Sequence, residues 1–194
     1  GPMSPPHPLH AAAGALPLLE NLSLFLDLDG TLAALESAPA VVGPMPRRSA
    51  LLRRAVDRLD GRLAIVSGRN VAEVDRILDG AVTPVAGLHG LERRSANGDM
   101  TATPLHPALM AAKTELEALA WSTPGLEVED KGLSLALHFR RAPHARTAAR
   151  ALVSDLARRT GMVFQAGDCV AELRPAGPDK GEAVLAFLRE PPFV

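Results

Sequence analysis

Several features that would point to an extracellular, membrane-bound or nucleic-acid-binding protein are nearly absent from this sequence of 194 residues. Its single cysteine, Cys169, excludes an intramolecular disulfide and is typical of a reducing cytoplasm. Although 47% of the residues are hydrophobic, no apolar run approaches the roughly 18 residues that span a membrane. The 21 basic and 22 acidic residues leave a net charge of −1, so no global field favours nucleic acid or a membrane surface. We therefore expect a cytoplasmic protein with neither kind of partner.

Lysine is also scarce, because 18 of the basic residues are arginine and only Lys113, Lys131 and Lys180 are lysine. Lys131 and Lys180 each stand in an Asp-Lys-Gly triplet. The compact ammonium of lysine and the planar fork of arginine are not interchangeable. A lysine retained in such a chain therefore indicates a position that needs a point charge. Chance is the alternative for either position taken alone.

The most informative segment that is present runs from Leu24 to Thr31. A short apolar stretch, typical of a strand buried on both faces, ends in the carboxylates Asp27 and Asp29. Open α/β sheets place their ligand crevices at this end of the strand. Because an ionised carboxylate is costly to bury without a cation or donors, the segment predicts a metal site with a phosphate beside it. A turn-capping role is the alternative for Asp29.

Short apolar runs and helical periodicity alternate in the first half of the chain. Strands are predicted at 23–27, 63–66 and 83–86, and helices between them at about 49–59 and 71–78. Polar residues follow each strand end. This arrangement indicates a doubly wound parallel, Rossmann-like α/β sheet.

The pattern changes after residue 92, where pairs of strands alternate with helices. Asn97-Gly98 predicts the turn of a β-hairpin over 93–103. The later elements are predicted at 107–121, 126–130, 133–139, 144–160, 162–166, 169–173 and 179–189. We expect an inserted α+β domain with helices on one face of an antiparallel sheet.

These patterns divide the chain into three parts. Residues 1–20 are expected to be a tag-cleavage scar and a disordered tail. Residues 21–91 and 174–194 are expected to form the α/β core, and 92–173 the inserted domain.

The polar residues after the predicted strands suit phosphoryl transfer. Asp27 can attack phosphorus and bind a metal, while Asp29 can act first as general acid and then as general base. Ser67 follows the second strand and can donate a hydrogen bond to phosphoryl oxygens. Lys180 begins a helix and adds a positive charge near its N-terminus. Phosphoryl transfer requires mainly positioning and charge stabilisation, and this set of residues supplies both.

The segment Asp27-Leu28-Asp29-Gly30-Thr31, with Ser67 and Lys180 in order, resembles the haloacid-dehalogenase (HAD) superfamily of phosphatases. Four further segments are similar to trehalose-6-phosphate phosphatases, namely Val66-Ser67-Gly68-Arg69, Gly87-Leu88-His89-Gly90, Lys131-Gly132-Leu133-Ser134 and Glu172-Leu173-Arg174-Pro175 through Lys180-Gly181-Glu182. The likeness covers about residues 22–194. It implies a HAD-like fold and magnesium-dependent hydrolysis of trehalose 6-phosphate to trehalose and phosphate. The reaction would pass through a phospho-aspartate on Asp27, with Asp27 and Asp29 at the metal.

The resemblance also implies a binding place for the sugar. Family contact positions fall on Glu129, Lys131 and Glu172 in the inserted domain, which would close over the core as a cap. Arg69 and His89 would face the sugar from the core. Carboxylates accept hydrogen bonds from hydroxyl groups and lysine donates them, so both polarities can hold a polyol.

Some residues of this set have structural alternatives. His89, between two glycines, can be a structural loop residue. Arg140 is a further candidate for sugar binding, or it simply belongs to a solvated strand end. His138 lies in an apolar strand and is expected to be a core residue.

One motif of the superfamily has no counterpart here. A Gly-Asp-Asp-type cluster after the next core strand would supply another metal carboxylate, whereas this sequence ends at Glu190-Pro191-Pro192-Phe193-Val194. We expect a truncated chain whose core keeps three parallel strands, with an unpaired edge and an uncovered apolar face. Magnesium would have Asp27 and the Asp29 carbonyl, which predicts impaired activity or none. Another HAD sugar-phosphate phosphatase and a non-catalytic sugar-phosphate-binding module are the alternative functions.

Overall fold

The structure is a computed structural model that describes residues 22–29 and 45–194. The described residues divide into two compact units. The first comprises those up to Ala102 together with Pro178–Val194, and the second comprises Thr103–Gly177. The predicted tail at 1–20 lies outside the described residues. So do Gly30 and Thr31, which end the aspartate motif.

The first unit contains a sheet with helices on both faces. Its elements are β1 (Leu24–Asp27), α1 (Pro46–Arg58), β2 (Leu63–Val66), α2 (Val71–Leu78), β3 (Val85–Gly87), β4 (Glu92–Arg94), β5 (Met100–Ala102) and, after the second unit, α5 (Lys180–Leu188). The strand order is β1-β2-β3-β4-β5. β1, β2 and β3 are parallel, which confirms the predicted α/β sheet, and β4 and β5 run antiparallel.

The predicted hairpin forms, but it belongs to the first unit. β4 pairs with β3, so that Gly87 lies opposite Glu92, and the hairpin extends the parallel sheet. The sequence pattern predicts an inserted domain over residues 92–173, whereas the second unit begins at Thr103 and ends at Gly177. The physical reason is that the change from a parallel to a hairpin pattern marks a reversal of strand direction within one sheet. It does not mark a domain boundary.

Apolar side chains cover both faces of this sheet. On one face, α1 and α2 pack against β1, β2 and β3 in a cluster that includes the fully buried Leu52, Ile65 and Ile77. On the other face, α5 and Phe193 cover the sheet, and the ring of Phe193 lies 5.4 Å from that of Phe25. The expectation of an uncovered apolar face is therefore wrong. Among the described residues, β1 pairs with β2 alone.

The second unit is the predicted α+β arrangement. Its elements are α3 (Leu109–Ser122), β6 (Glu127–Asp130), β7 (Leu135–His138), α4 (Arg146–Thr160), β8 (Val163–Gly167) and β9 (Val170–Arg174). The antiparallel strands are ordered β6-β7-β9-β8. Both helices pack on one face of this sheet around Leu116, Leu137 and Val153. Because strand side chains alternate, the opposite face carries the other set of residues.

None of the helices in the described part of the chain is long and apolar enough to cross a membrane.

Candidate active site

The site in the first unit begins where two neighbouring parallel strands end. Asp27 is the last residue of β1 and lies in register with Val66, the last residue of β2. Ser67 follows directly and is fully buried. The carboxyl ends of parallel strands meet at one sheet edge, so this register places Asp27 and the Ser67 segment at the same edge.

Lys180 contacts the predicted nucleophile. Its Nζ lies 2.7 Å from Asp27 Oδ2, although 153 positions separate the two residues. Lys180 is the first residue of α5, and the Asp179 side chain caps this helix by accepting a hydrogen bond from the Glu182 amide at 2.8 Å. The Lys180 and Asp27 side chains are 46% and 41% exposed, so the ion pair is open to solvent. A phosphate group can therefore reach both residues.

Asp29 is paired with a different cation. The Arg69 side chain donates a hydrogen bond from Nε to Asp29 Oδ1 at 3.0 Å. Arg69 also lies 3.4 Å from Glu73, which stands in the first turn of α2. Each carboxylate of the aspartate motif therefore has a basic partner within the first unit.

The segment around Ser67 is held by main-chain hydrogen bonds. The Ser67 amide donates to the carbonyl of Ala86 at 2.9 Å, and Ser67 Oγ accepts from the Arg69 amide at 3.0 Å. The His89 amide donates to the Ser67 carbonyl at 2.9 Å. His89 therefore contacts the phosphate-binding candidate directly, and its predicted contact with the sugar stays a prediction.

Three of the predicted sugar-binding residues come together in the second unit. Glu129 of β6 and Glu172 of β9 both lie opposite Ala136 of β7, so their side chains share one face of the sheet. Lys131 Nζ lies 2.6 Å from Glu172 Oε1, and these two side chains are only 18% and 9% exposed. This face of the second unit, defined by Glu129, Lys131 and Glu172, is called the polar face below.

His138 belongs to the polar face rather than to the core. Its Nε2 lies 2.8 Å from Glu129 Oε1, and 39% of its side chain is exposed. The expectation that it is a core residue is wrong, because β7 alternates and His138 points away from the helices, like Ala136. Arg174 and Gln165, 3.4 Å apart, also lie on this face and were not singled out from the sequence. Side chains alternate along β9, so the choice of Glu172 as a candidate could also have indicated Arg174, two positions later on the same face.

Arg140 is placed differently. Its guanidinium pairs with Asp168 at 2.9 Å, and the two side chains are 68% and 86% exposed. This ion pair joins the residues that follow β7 and β8, rather than the polar-face carboxylates. Its predicted contact with the sugar stays a prediction.

The donors near β1 suit a hard divalent cation. Asp27 and Asp29 offer carboxylate oxygens, and protein-bound Mg²⁺ typically takes one or two carboxylates while it keeps several waters. Elsewhere in residues 22–29 and 45–194, histidine, cysteine and acidic side chains do not gather in threes that can hold a metal ion. Asp27 and the main-chain carbonyl of Asp29 stay the predicted ligands of such an ion.

The fold identifies the class of protein that this chain resembles. The fold is that of hydrolases of the haloacid-dehalogenase type, which occur among the solved structures that this chain resembles. The family model described as Trehalose-phosphatase matches residues 25–193. The chain therefore belongs to the trehalose-phosphatase family, whose members hydrolyse a phosphoric monoester.

Individual relatives agree with this assignment. The chain is 40% identical over 177 residues to a protein of Sinorhizobium fredii named "Probable trehalose-phosphate phosphatase", covering 90% of this chain and 67% of that protein. It is 37% identical over 172 residues to the "Trehalose-6-phosphate phosphatase" of Escherichia coli, covering 88% and 65%. The chain thus spans about two thirds of the length of these relatives.

A solved structure supports the fold alone. The C-terminal domain of Candida albicans trehalose-6-phosphate phosphatase matches with a TM-score of 0.74 at 22% identity, over 97% of this chain and 69% of that one.

Proposed function

We propose that this chain carries the nucleophile, the phosphate-binding groups and the sugar-binding face of an enzyme that hydrolyses trehalose 6-phosphate to trehalose and phosphate. The single observation that carries the proposal is the contact of Lys180 with Asp27 at the end of β1. A basic side chain beside a strand-end carboxylate is the arrangement that binds a phosphate and attacks it.

The reaction can be written with the residues of the first unit. A carboxylate oxygen of Asp27 forms a bond to phosphorus while the bond from phosphorus to the sugar oxygen breaks. Asp29 gives its proton to the departing alkoxide, which leaves as trehalose. Asp29 then takes a proton from water, which attacks the phospho-aspartate and releases phosphate. Lys180 and Ser67 hold the phosphoryl oxygens through both steps.

Arg69 has a specific part in this scheme. Its hydrogen bond to Asp29 Oδ1 orients the acid/base carboxyl group, which stands two residues from the nucleophile. A carboxylate oxygen of Asp27 and the main-chain carbonyl of Asp29 would hold Mg²⁺, which would neutralise charge on the nucleophile and on the phosphate. The carboxyl group of Asp29 then stays available for proton transfer.

The sugar would be bound by the polar face of the second unit. Glu129 and Glu172 accept hydrogen bonds from hydroxyl groups, and Lys131 donates them. Arg69, His89 and Arg140 are further proposed contacts. The proposal includes a cytoplasmic location, which the single Cys169 supports, and a small-molecule sugar phosphate as the partner.

Phosphate release by the purified chain tests this function. Because the predicted metal site has few protein ligands, we expect at most slow release from trehalose 6-phosphate with Mg²⁺. We expect Asp27→Asn to abolish that release while the variant stays folded by circular dichroism. Asp27→Asn keeps the size of the side chain and removes its negative charge, so a loss of activity reports the missing carboxylate and not a change of shape. Equal turnover by Asp27→Asn and the unchanged chain would refute the nucleophile.

The same assay separates the alternatives. Faster turnover of other sugar phosphates than of trehalose 6-phosphate would favour another sugar-phosphate phosphatase. Saturable binding of trehalose 6-phosphate without phosphate release would favour the non-catalytic module. The specific observation behind that second alternative is that Asp29 is held by Arg69 and that the described residues offer no third acidic ligand.

A further inference from the structure

The segment Gly87-Leu88-His89-Gly90, called the 87–90 loop, comprises the last residue of β3 and the turn that follows it, and has an unusual backbone. The φ angles of Leu88, His89 and Gly90 are 50°, 55° and 106°, so three successive residues are left-handed. Leucine and histidine rarely adopt this conformation, which persists only where the surroundings enforce it. The surroundings of this loop are therefore informative.

On one side, the 87–90 loop contacts the main chain that carries Ser67 and Arg69. The amides of Leu88 and His89 donate hydrogen bonds to the carbonyls of Arg69 and Ser67, each at 2.9 Å. Gly87 approaches the same segment so closely that a Cβ there would lie 2.9 Å from the Arg69 carbonyl oxygen. It would lie 2.8 Å from the amide nitrogen of Val71, the first residue of α2.

On the other side, the loop contacts the main chain before Lys180. A Cβ built on Gly90 would lie 2.7 Å from the carbonyl carbon of Asp179 and 3.0 Å from the carbonyl oxygen of Pro178. Asp179 caps α5, and Lys180 is the first residue of that helix. Gly90 therefore lies against the two residues that precede Lys180.

We propose that the 87–90 loop is a positioning element that sets the distance between Ser67 and Lys180. This proposal rests on the proposed function in one respect, because that function is what makes Ser67 and Lys180 the two phosphate-binding groups. Gly87 and Gly90 lack a Cβ at the two points of closest approach, so the loop spaces the Ser67 segment and the start of α5 at contact distance. Phosphoryl transfer depends on such spacing, because misplacement of about 1 Å can lower a rate on the order of 10²-fold.

Two alanine variants test the two sides of the loop separately. In Gly90→Ala the added Cβ must displace the Asp179 backbone and so move Lys180. In Gly87→Ala it must displace the Arg69–Val71 backbone, and the φ of −102° at Gly87 is acceptable for alanine. The control is Gly98→Ala, because Gly98 also has a positive φ, of 92°, but has nothing within 4 Å of an added Cβ. Gly90→Ala and Gly98→Ala therefore share backbone strain and differ in contact.

Because the sequence has only three lysines, the NMR signal of each lysine side chain can be followed separately. After reductive methylation with ¹³C-formaldehyde, which keeps the positive charge, the side chains of Lys113, Lys131 and Lys180 give three methylated-lysine NMR signals. The α-amino group of the chain gives a further signal, and the three lysine signals are assigned with Lys→Arg variants. We expect Gly90→Ala to shift the Lys180 signal and to leave the other two in place. Gly98→Ala should leave all three in place. Gly87→Ala should shift the backbone amide signals of Arg69 and Asn70 in a ¹⁵N-labelled sample.

An unshifted Lys180 signal in folded Gly90→Ala, or unshifted Arg69 and Asn70 amides in folded Gly87→Ala, would overturn the proposal. If one variant fails to fold, the other still decides its own side. These signals report geometry without turnover, so they stay informative if the chain does not hydrolyse trehalose 6-phosphate. If it does, Gly90→Ala should lower kcat on the order of 10²-fold in the native chain and far less in a Lys180→Ala background. Equal losses in both backgrounds would indicate a merely structural effect.

Discussion

The two units hold their polar residues by different physical means. In the first unit, Ser67 stands after a strand end and Lys180 at a helix start. The main chain of the 87–90 loop donates a hydrogen bond to the Ser67 carbonyl and lies against Pro178 and Asp179, the residues before Lys180. In the second unit, Lys131 and Glu172 are placed by an ion pair between side chains on one face of an antiparallel sheet. The first arrangement needs unusual backbone angles, whereas the second uses regular strands.

Solvent exposure follows the same division. The Lys180 and Asp27 side chains are 46% and 41% exposed, against 18% and 9% for Lys131 and Glu172. An exposed ion pair can open to admit a phosphate at little cost, whereas a buried pair leaves a desolvated charge behind when one partner is lost. We therefore expect the first unit to be sensitive to changes in backbone shape and the second to changes in charge.

The largest expected effect is the loss of the buried pair in the second unit. Glu172→Ala leaves the Lys131 ammonium half-buried without its partner and should lower the free energy of unfolding by about 2–3 kcal/mol. Lys180→Ala, at the exposed pair of the first unit, should cost less than about 1 kcal/mol. Urea unfolding, with hydrogen exchange of the amides in β7 and β9, measures the difference. Equal losses of stability for the two variants would show that the ion pairs of the two units do not differ in their contribution to folding.

A matched control for the first prediction lies in the same sheet. Glu127 of β6 pairs with Arg141 at 3.3 Å, and these side chains are 60% and 80% exposed. Glu127→Ala should therefore change the free energy of unfolding by only about 0–0.5 kcal/mol.

An intermediate effect distinguishes the two histidines. His89 has a φ of 55°, so His89→Gly should be more stable than His89→Ala by about 1 kcal/mol, because glycine relieves the left-handed strain. His138 lies in the regular strand β7, so His138→Gly should be less stable than His138→Ala by about 0.5–1 kcal/mol. Denaturation of the four variants gives both differences. The same sign at both positions would show that the 87–90 loop is not strained.

The smallest expected effect is a dependence on pH in each unit. The hydrogen bond from Arg93 lowers the pKa of Glu190 in the first unit. In the second unit, the amide of Gly132, followed by Lys113, lowers the pKa of Asp130. A carboxyl group with a lowered pKa stabilises the fold above its unfolded pKa, and this contribution is lost as the pH falls through the folded pKa.

Glu190→Gln and Asp130→Asn should therefore each flatten the loss of stability below about pH 4.3 or pH 3.9, the ordinary values for Glu and Asp. Both carboxyl groups are exposed enough that each effect should stay below about 1 kcal/mol. High salt should weaken the Glu190 effect more, because its main partner is a charged guanidinium and that of Asp130 is a peptide amide. Equal salt sensitivity at the two positions would contradict this distinction.

Much of the local structure could be predicted from the sequence. β2 at Leu63–Val66 and α2 at Val71–Leu78 lie where the patterns placed them. α1 begins at Pro46, three residues before the predicted start, because proline suits the first turn of a helix and the apolar periodicity begins later. The hairpin was predicted correctly as a hairpin and assigned to the wrong unit, since pairing of β4 with β3 depends on register and not on composition.

The candidate site was predictable only in part, for the same reason. The aspartate motif, Ser67, Lys131 and Lys180 stand out in the sequence because their local context is unusual. The prediction that His138 is a core residue was wrong, because a strand pattern does not show which face of the sheet packs against the helices. Gly90 had no signal of its own, since the feature that matters is its approach to Asp179.

The order and kind of most strands and helices, and the family of the chain, follow from periodicity, turn residues and motifs, which are local properties of the sequence. Tertiary packing brings Lys180 to Asp27 and Arg69 to Asp29, and it places the 87–90 loop against both Ser67 and Asp179. Those contacts join residues far apart in the chain. Their distances depend on how the sheet and α5 pack, which no local pattern records.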